Sequence, residues 1–255
     1  VAIKQGRLFD PSSVTMRQFE PPAWVAEGAK RFASERGMEW NPEGLDNMRV
    51  DPQRGHAQYL AYRDSLKQAQ AGQESPEIRP SYHAMRSHLN DQYDFLTRPQ
   101  EAGGMGVKVE VTPHDPYPDD PAGMAKDLDT NRRIQVMSTA TTGSHEFFAD
   151  SENDKFRAVH DVFGHVATGR GFSRDGEEAA YRSHRQMFPA SAHGALTSET
   201  RGQNSWLNYG PGGFASQEGA IVGLPRWAQE DGPLPEAPRG RGRGPRPQQL
   251  AFPGV

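Results

Sequence analysis

A chain of 255 residues is long enough for one substantial hydrophobic core and short for two. Only 34% of it is hydrophobic, and its 27 Gly and 21 Pro put much of it into loops or extended arms. A net charge of −4 provides no overall field for nucleic acid. The absence of cysteine excludes disulfides, thiolate nucleophiles and iron–sulfur ligation, so any metal has to bind through His and carboxylate.

In chain order, residues 1–22 read as an extended N-terminal arm ending at Glu20-Pro21-Pro22. A first helix is expected over 23–36, where Val25, Ala29 and Phe32 step at helical spacing around an unfavourable Gly28. A second is expected over 56–71, carrying Tyr59, Leu60, Tyr62 and Leu66. A third follows Pro80 and runs to Leu96, with Tyr82, Met85, Leu89 and Tyr93 on its apolar face. Val107, Val109 and Val111 alternate with Lys108 and Glu110 as a half-buried strand does, and a second strand is expected over 133–138. The Pro-rich stretch 112–121 between them cannot be regular.

A capped helix is expected over 152–166, with Ser151 and Asp154 as a capping-box-like pair and Phe156, Val159 and Phe163 as its stripe. Further helices are expected over 175–188 and 196–207. From residue 231 the chain becomes a Pro/Gly/Arg-rich C-terminal arm with Arg239, Arg241, Arg243 and Arg246, expected to pack on a surface. The fold expected is mainly α with a small β component (α+β). A helical body over 23–230 would surround a metal site, with long irregular arms at both ends. No apolar run approaches the roughly 18–20 residues of a membrane span. The expected localisation is cytoplasmic, with a virion-associated place as the alternative.

His160-Asp161-Val162-Phe163-Gly164-His165 carries the chemistry. Two His residues five apart on a regular helix diverge by about 140°. Gly164 lets the last turn distort and brings the second ring round. Two inward imidazoles leave room for one carboxylate, and two His with one carboxylate is the face used by non-haem iron(II) oxygenases. Glu199, on the apolar side of its helix with Leu196 and Trp206, is the preferred third ligand; Glu177 and Glu178 are rivals. Glu177, Tyr181, His184 and Phe188 share one face, which would otherwise support the ligands from behind.

His-acid-x-x-Gly-His followed by Val resembles the iron-binding helix of the pterin-dependent aromatic amino acid hydroxylases. The segment Tyr209-Gly210-Pro211-Gly212-Gly213-Phe214-Ala215-Ser216-Gln217-Glu218 is similar to that family's Gly-rich segment leading to Ser and Glu, and Gly143-Ser144 to its turn before the iron helix. The resemblance covers about residues 134–220. It implies iron(II) on His160, His165 and Glu199, a reduced pterin as cosubstrate, and a monooxygenase acting on a small molecule with O2. Asp161 would then orient a metal-bound water or the pterin; its bland alternative is a surface pair with Arg157. Ser216 or Glu218 would hold the far nitrogen of a ligating His. Arg201 is either an anion anchor or a surface charge. Short stretches, Gly169-Arg170-Gly171-Phe172 among them, are also similar to uncharacterised proteins of actinobacterial phages.

Two other classes stand beside this reading. His160-Asp161 with His145 and Asp175 spells the ligand set of an HD-type metal-dependent phosphohydrolase. The long arms suit a non-enzymatic assembly or virion-associated subunit, a homo-oligomer or larger, touching nucleic acid only through the Arg-Gly tail.

Overall fold

The computed structural model describes residues 2–4, 7–9, 16–210 and 221–234. Ser216, Glu218 and the Arg-Gly tail lie outside the described residues. The architecture is mainly α with a small β component. Two short strands in the expected N-terminal arm, β1 (Ala2–Lys4) and β2 (Arg7–Phe9), pair antiparallel, so that part of the arm is not irregular. Closer to the body, the Gln18 amide donates to the Gly169 carbonyl at 2.9 Å, which lays the end of the arm across the turn that follows the expected metal helix.

Helix α1 (Ala23–Glu35) buries Val25, Ala29 and Phe32 as the spacing predicts. Gly28, which counted against a helix, is where the Met105 side chain crosses: a Cβ there would lie 2.5 Å from Met105 Cε. Helix α2 (Pro52–Gln70) starts a turn earlier than expected. Asp51 accepts from the Arg54 amide at 2.8 Å, and Pro52 occupies the first helical position, where no N–H is needed. Helix α3 (Ile78–Thr97) is the central element, with Tyr82, Met85, Leu89 and Leu96 fully buried.

The strands β3 (Lys108–Thr112) and β4 (Arg133–Met137) form a parallel pair with Lys108 opposite Arg133 and Val111 opposite Val136. Parallel strands cannot be joined by a tight turn and need a crossover. That crossover is helix α4 (Pro121–Asn131), where the Pro-rich pattern suggested only loop. Pro121 sits at the first helical position, Asp120 accepts from the Gly123 amide at 2.8 Å, and Met124, Ala125 and Leu128 are buried. The last proline of the irregular run is thus a helix start.

Helix α5 (Asp150–Val159) continues into a π-helical turn (His160–His165). The expected Ser151–Asp154 box does not form. Glu152 accepts from the Ala149 amide at 3.0 Å, and Asp154 from the Thr139 amide at 2.7 Å. Helix α6 (Arg174–Met187) packs against the π turn. The expected helix over 196–207 is three pieces: α7 (His193–Thr197), a second π turn (Ser198–Gly202) and α8 (Gln203–Tyr209). A short α9 (Arg226–Gln229) joins Tyr62, Leu66 and Trp206 in a smaller apolar cluster beside the main core. Among the described residues no helix is long and apolar enough to cross a membrane.

Candidate metal centre

The π turn is the local event that makes the site. Winding to i→i+5 hydrogen bonds brings residues five apart onto nearly the same face, where an α-helix would separate them. His160 and His165 therefore converge, with their Nε2 atoms 3.1 Å apart. Gly164 contributes in a second way. A Cβ there would lie 2.9 Å from Ala180 Cβ and 3.1 Å from His184 Nε2, so only glycine lets α6 approach this closely. Glu177 projects from the first helical turns of α6, which Ser173 caps by accepting from the Gly176 amide at 3.2 Å.

The third group is Glu177, not Glu199. Its Oε2 lies 3.3 Å from His160 Nε2 and its Oε1 lies 3.4 Å from His165 Nε2. Among the described residues, His160, His165 and Glu177 are the one group of three that converges closely enough to hold a metal ion. Donors held about 2.0–2.2 Å from one cation stand about 3 Å apart at right angles and about 3.4 Å apart at tetrahedral angles. Edges of 3.1–3.4 Å fit that range. Burial would raise the Glu177 carboxyl, but the two imidazoles more than reverse this and hold it well below the usual carboxylate range.

The surroundings orient the rings. His165 is 1% exposed, and its Nδ1 donates to the Arg170 carbonyl at 3.2 Å, which leaves Nε2 free to ligate. Arg170 is itself buried, with Nη1 donating to the Leu45 carbonyl at 2.8 Å. Phe172 meets His165 edge-on at 5.1 Å between ring centres. His184 stacks on His160 at 5.1 Å and 18° between planes, the supporting position its shared face with Glu177 predicted. Tyr181 of that face turns elsewhere and donates to the Gln229 carbonyl at 2.8 Å.

Glu199 lines the same cavity but is engaged elsewhere. Its Oε1 accepts from Tyr82 Oη and from His145 Nε2, the latter at 3.0 Å, and its Oε2 accepts from Gln203 Nε2 at 2.9 Å. His145 Nδ1 accepts from the Phe147 and Phe148 amides, both at 3.0 Å, so the ring proton sits on Nε2 and faces Glu199. His145 is thus spent on Glu199. Asp175 accepts from the Val50 amide at 3.0 Å and Arg174 Nε at 3.1 Å. The phosphohydrolase ligand set is not brought together.

Asp161 stands half-buried on the cavity wall, one residue from a ligand. Burial pushes its carboxyl up to about 6 against the pull of both imidazoles. It forms no ion pair with Arg157, whose Nη2 donates instead to Thr142 Oγ1 at 3.0 Å. Arg201 is neither a surface charge nor an anchor in the cavity. It is 2% exposed and clamped by Glu178.

His160, Asp161 and Glu177 open onto a cavity of about 920 Å³, shared with Glu199 and Arg157. Its walls mix apolar and polar groups, the usual make-up of a small-molecule site.

Gly164→Ala tests the close approach of α6. The added methyl meets Ala180, and overpacking costs about 1–3 kcal/mol against a helix-propensity gain of about 0.5–1 kcal/mol. The expected result is a net loss of thermal stability together with weaker metal binding, because Glu177 moves with α6. A melting scan and a metal titration on the same preparation check it; unchanged metal affinity would separate helix packing from ligand placement.

No family model matches the chain, and neither does any curated protein or solved structure.

Proposed function

We propose that the protein is a mononuclear metalloenzyme that holds iron(II) on His160, His165 and Glu177 and oxidises a small molecule in the adjoining cavity with O2. The observation that carries this is the triangle of two imidazole nitrogens and one carboxylate at the wall of a 920 Å³ cavity. Neutral nitrogen and carboxylate donors without thiolate suit iron(II), and three ligands on one face leave positions open for substrate and O2. A monooxygenase needs a further two-electron donor. A reduced pterin is the donor that the sequence resemblance implies, and the cavity is large enough for a bicyclic ring beside a small substrate. Asp161, on the cavity wall beside the open face, would hydrogen-bond whatever occupies it.

The same donor set serves zinc in metal-dependent hydrolases, so metal identity is the first result needed. Protein purified without oxygen is expected to contain, or take up, one iron per chain, and His160→Ala none. Chelation should lower unfolding stability by about 2.7 kcal/mol relative to protein kept at a hundredfold excess over Kd. Equal metal content in wild type and His160→Ala overturns the site. Zinc in the native protein, with no O2 consumption after iron loading, replaces oxidation by hydrolysis.

A further inference from the structure

We infer that Arg157 is an anion anchor for the ligand of this cavity, and that the ligand is a small molecule with an oxyanion group, a carboxylate or a phosphate, a few bonds from its reacting centre. This rests on the cavity being the substrate site of the proposed metal centre.

A buried or half-buried guanidinium is normally matched by a carboxylate or by backbone carbonyls. Arg201 pairs with Glu178, half-buried Arg174 with Asp175, and buried Arg170 donates to the Leu45 and Met48 carbonyls. Arg157 has neither kind of partner for its Nε. It makes no ion pair among the described residues, and its one hydrogen bond there is from Nη2 to Thr142 Oγ1 at 3.0 Å. Its Nε is buried without an acceptor. The acids nearest along its helix do not serve it. Asp154 accepts from the Thr139 amide, and Asp161, one turn on, forms no ion pair with it. Arginine presents a planar fork of N–H donors that matches the two oxygens of a carboxylate or phosphate. A fork with Nε and Nη1 unclaimed, on a cavity wall, is in the state expected of one whose acceptor arrives with the ligand.

Position agrees. Arg157 precedes His160 by three residues on one continuous helix, a rise of about 4.5 Å, so the anchor and the metal face lie along the same wall. Phe156, Phe172, Met124, Val136 and Leu207 line the cavity and would receive an apolar body.

The test compares benzoate and phenylacetate with their amides, and phenyl phosphate with both, by calorimetric titration of the full chain in metal-free and zinc-loaded forms. In wild type the acids or the phosphate should bind at least about tenfold more tightly than the amides, and the better of the two names the oxyanion. Arg157→Gln should bring that ratio close to one with metal content unchanged. Arg157→Lys, which keeps the charge and loses the fork, should retain part of it and serves if the Gln variant does not fold. Absence of binding by any acid or by the phosphate, equal affinity for acid and amide, or a ratio that survives both substitutions overturns the proposal. A chain that takes up no metal sinks the metal-centre reading instead, and the Arg157 dependence in that metal-free protein still decides this one.

Discussion

Glu177→Gln is expected to empty the metal centre, whereas Glu199→Gln leaves it loaded. The two residues are both part-buried glutamates on the same cavity, and they differ in what their oxygens touch. Each Glu177 oxygen faces one imidazole, at 3.3 and 3.4 Å. Replacing it by an amide removes the anionic donor and puts an N–H2 group against nitrogens that must present lone pairs to a cation. The loss of affinity should exceed the roughly 10–100-fold that removal of a supporting group costs. Glu199 satisfies Tyr82, His145 and Gln203. Its substitution should weaken hydrogen bonds to a charged acceptor, each worth about 1.5–3 kcal/mol, and appear as lower stability with metal content close to wild type. Metal analysis after dialysis, paired with a melting scan, reads both. The reverse pattern, metal lost with Glu199 and kept with Glu177, would return the third ligand to the position the family resemblance implied.

Arg201→Ala should be the most destabilising single change away from the metal. Its Nη2 lies 2.5 Å from Glu178 Oε1 and its Nε 3.0 Å from Glu178 Oε2, with Glu178 4% exposed. Nη1 donates to the Ala228 carbonyl at 3.0 Å, which ties α9 to the second π turn, and the guanidinium lies 4.0 Å over the Tyr181 ring. Burial pushes its pKa down, and the Glu178 charge more than reverses that. Removing the cation leaves a buried carboxylate with Arg182 as its remaining ion-pair partner among the described residues. Breaking a buried pair from one side costs about 3–5 kcal/mol, a large part of the roughly 5–15 kcal/mol that holds a domain folded. A melting temperature lower by on the order of 10 °C is expected. The double variant Arg201→Met with Glu178→Leu should recover much of the loss, because no charge is then stranded. A single variant within about 1 kcal/mol of wild type would show that the clamp contributes little.

Much of the molecule follows from local pattern. The apolar steps of α1, α3 and α5 place their buried faces correctly, because a 3.6-residue period is a property of neighbouring side chains alone. The spacing of His160 and His165 with Gly164 between them carried the distorted turn for the same reason: the constraint lies within six residues. Helix α4 was hidden because prolines ahead of it read as loop, although Asp120-Pro121 is also a helix start. The Gly28 penalty was outweighed by Met105, some eighty residues away in sequence.

The sequence by itself pointed to two imidazoles on one face and to an inward glutamate beside them. Tertiary structure decided which one. Periodicity reports that a side chain points inward, and both Glu177 and Glu199 do. It does not report which inward face meets which, because that depends on how closely two helices approach. Here the missing side chain of Gly164 lets α6 come near enough for Glu177 to reach both rings, while the second π turn delivers Glu199 to Tyr82 and His145.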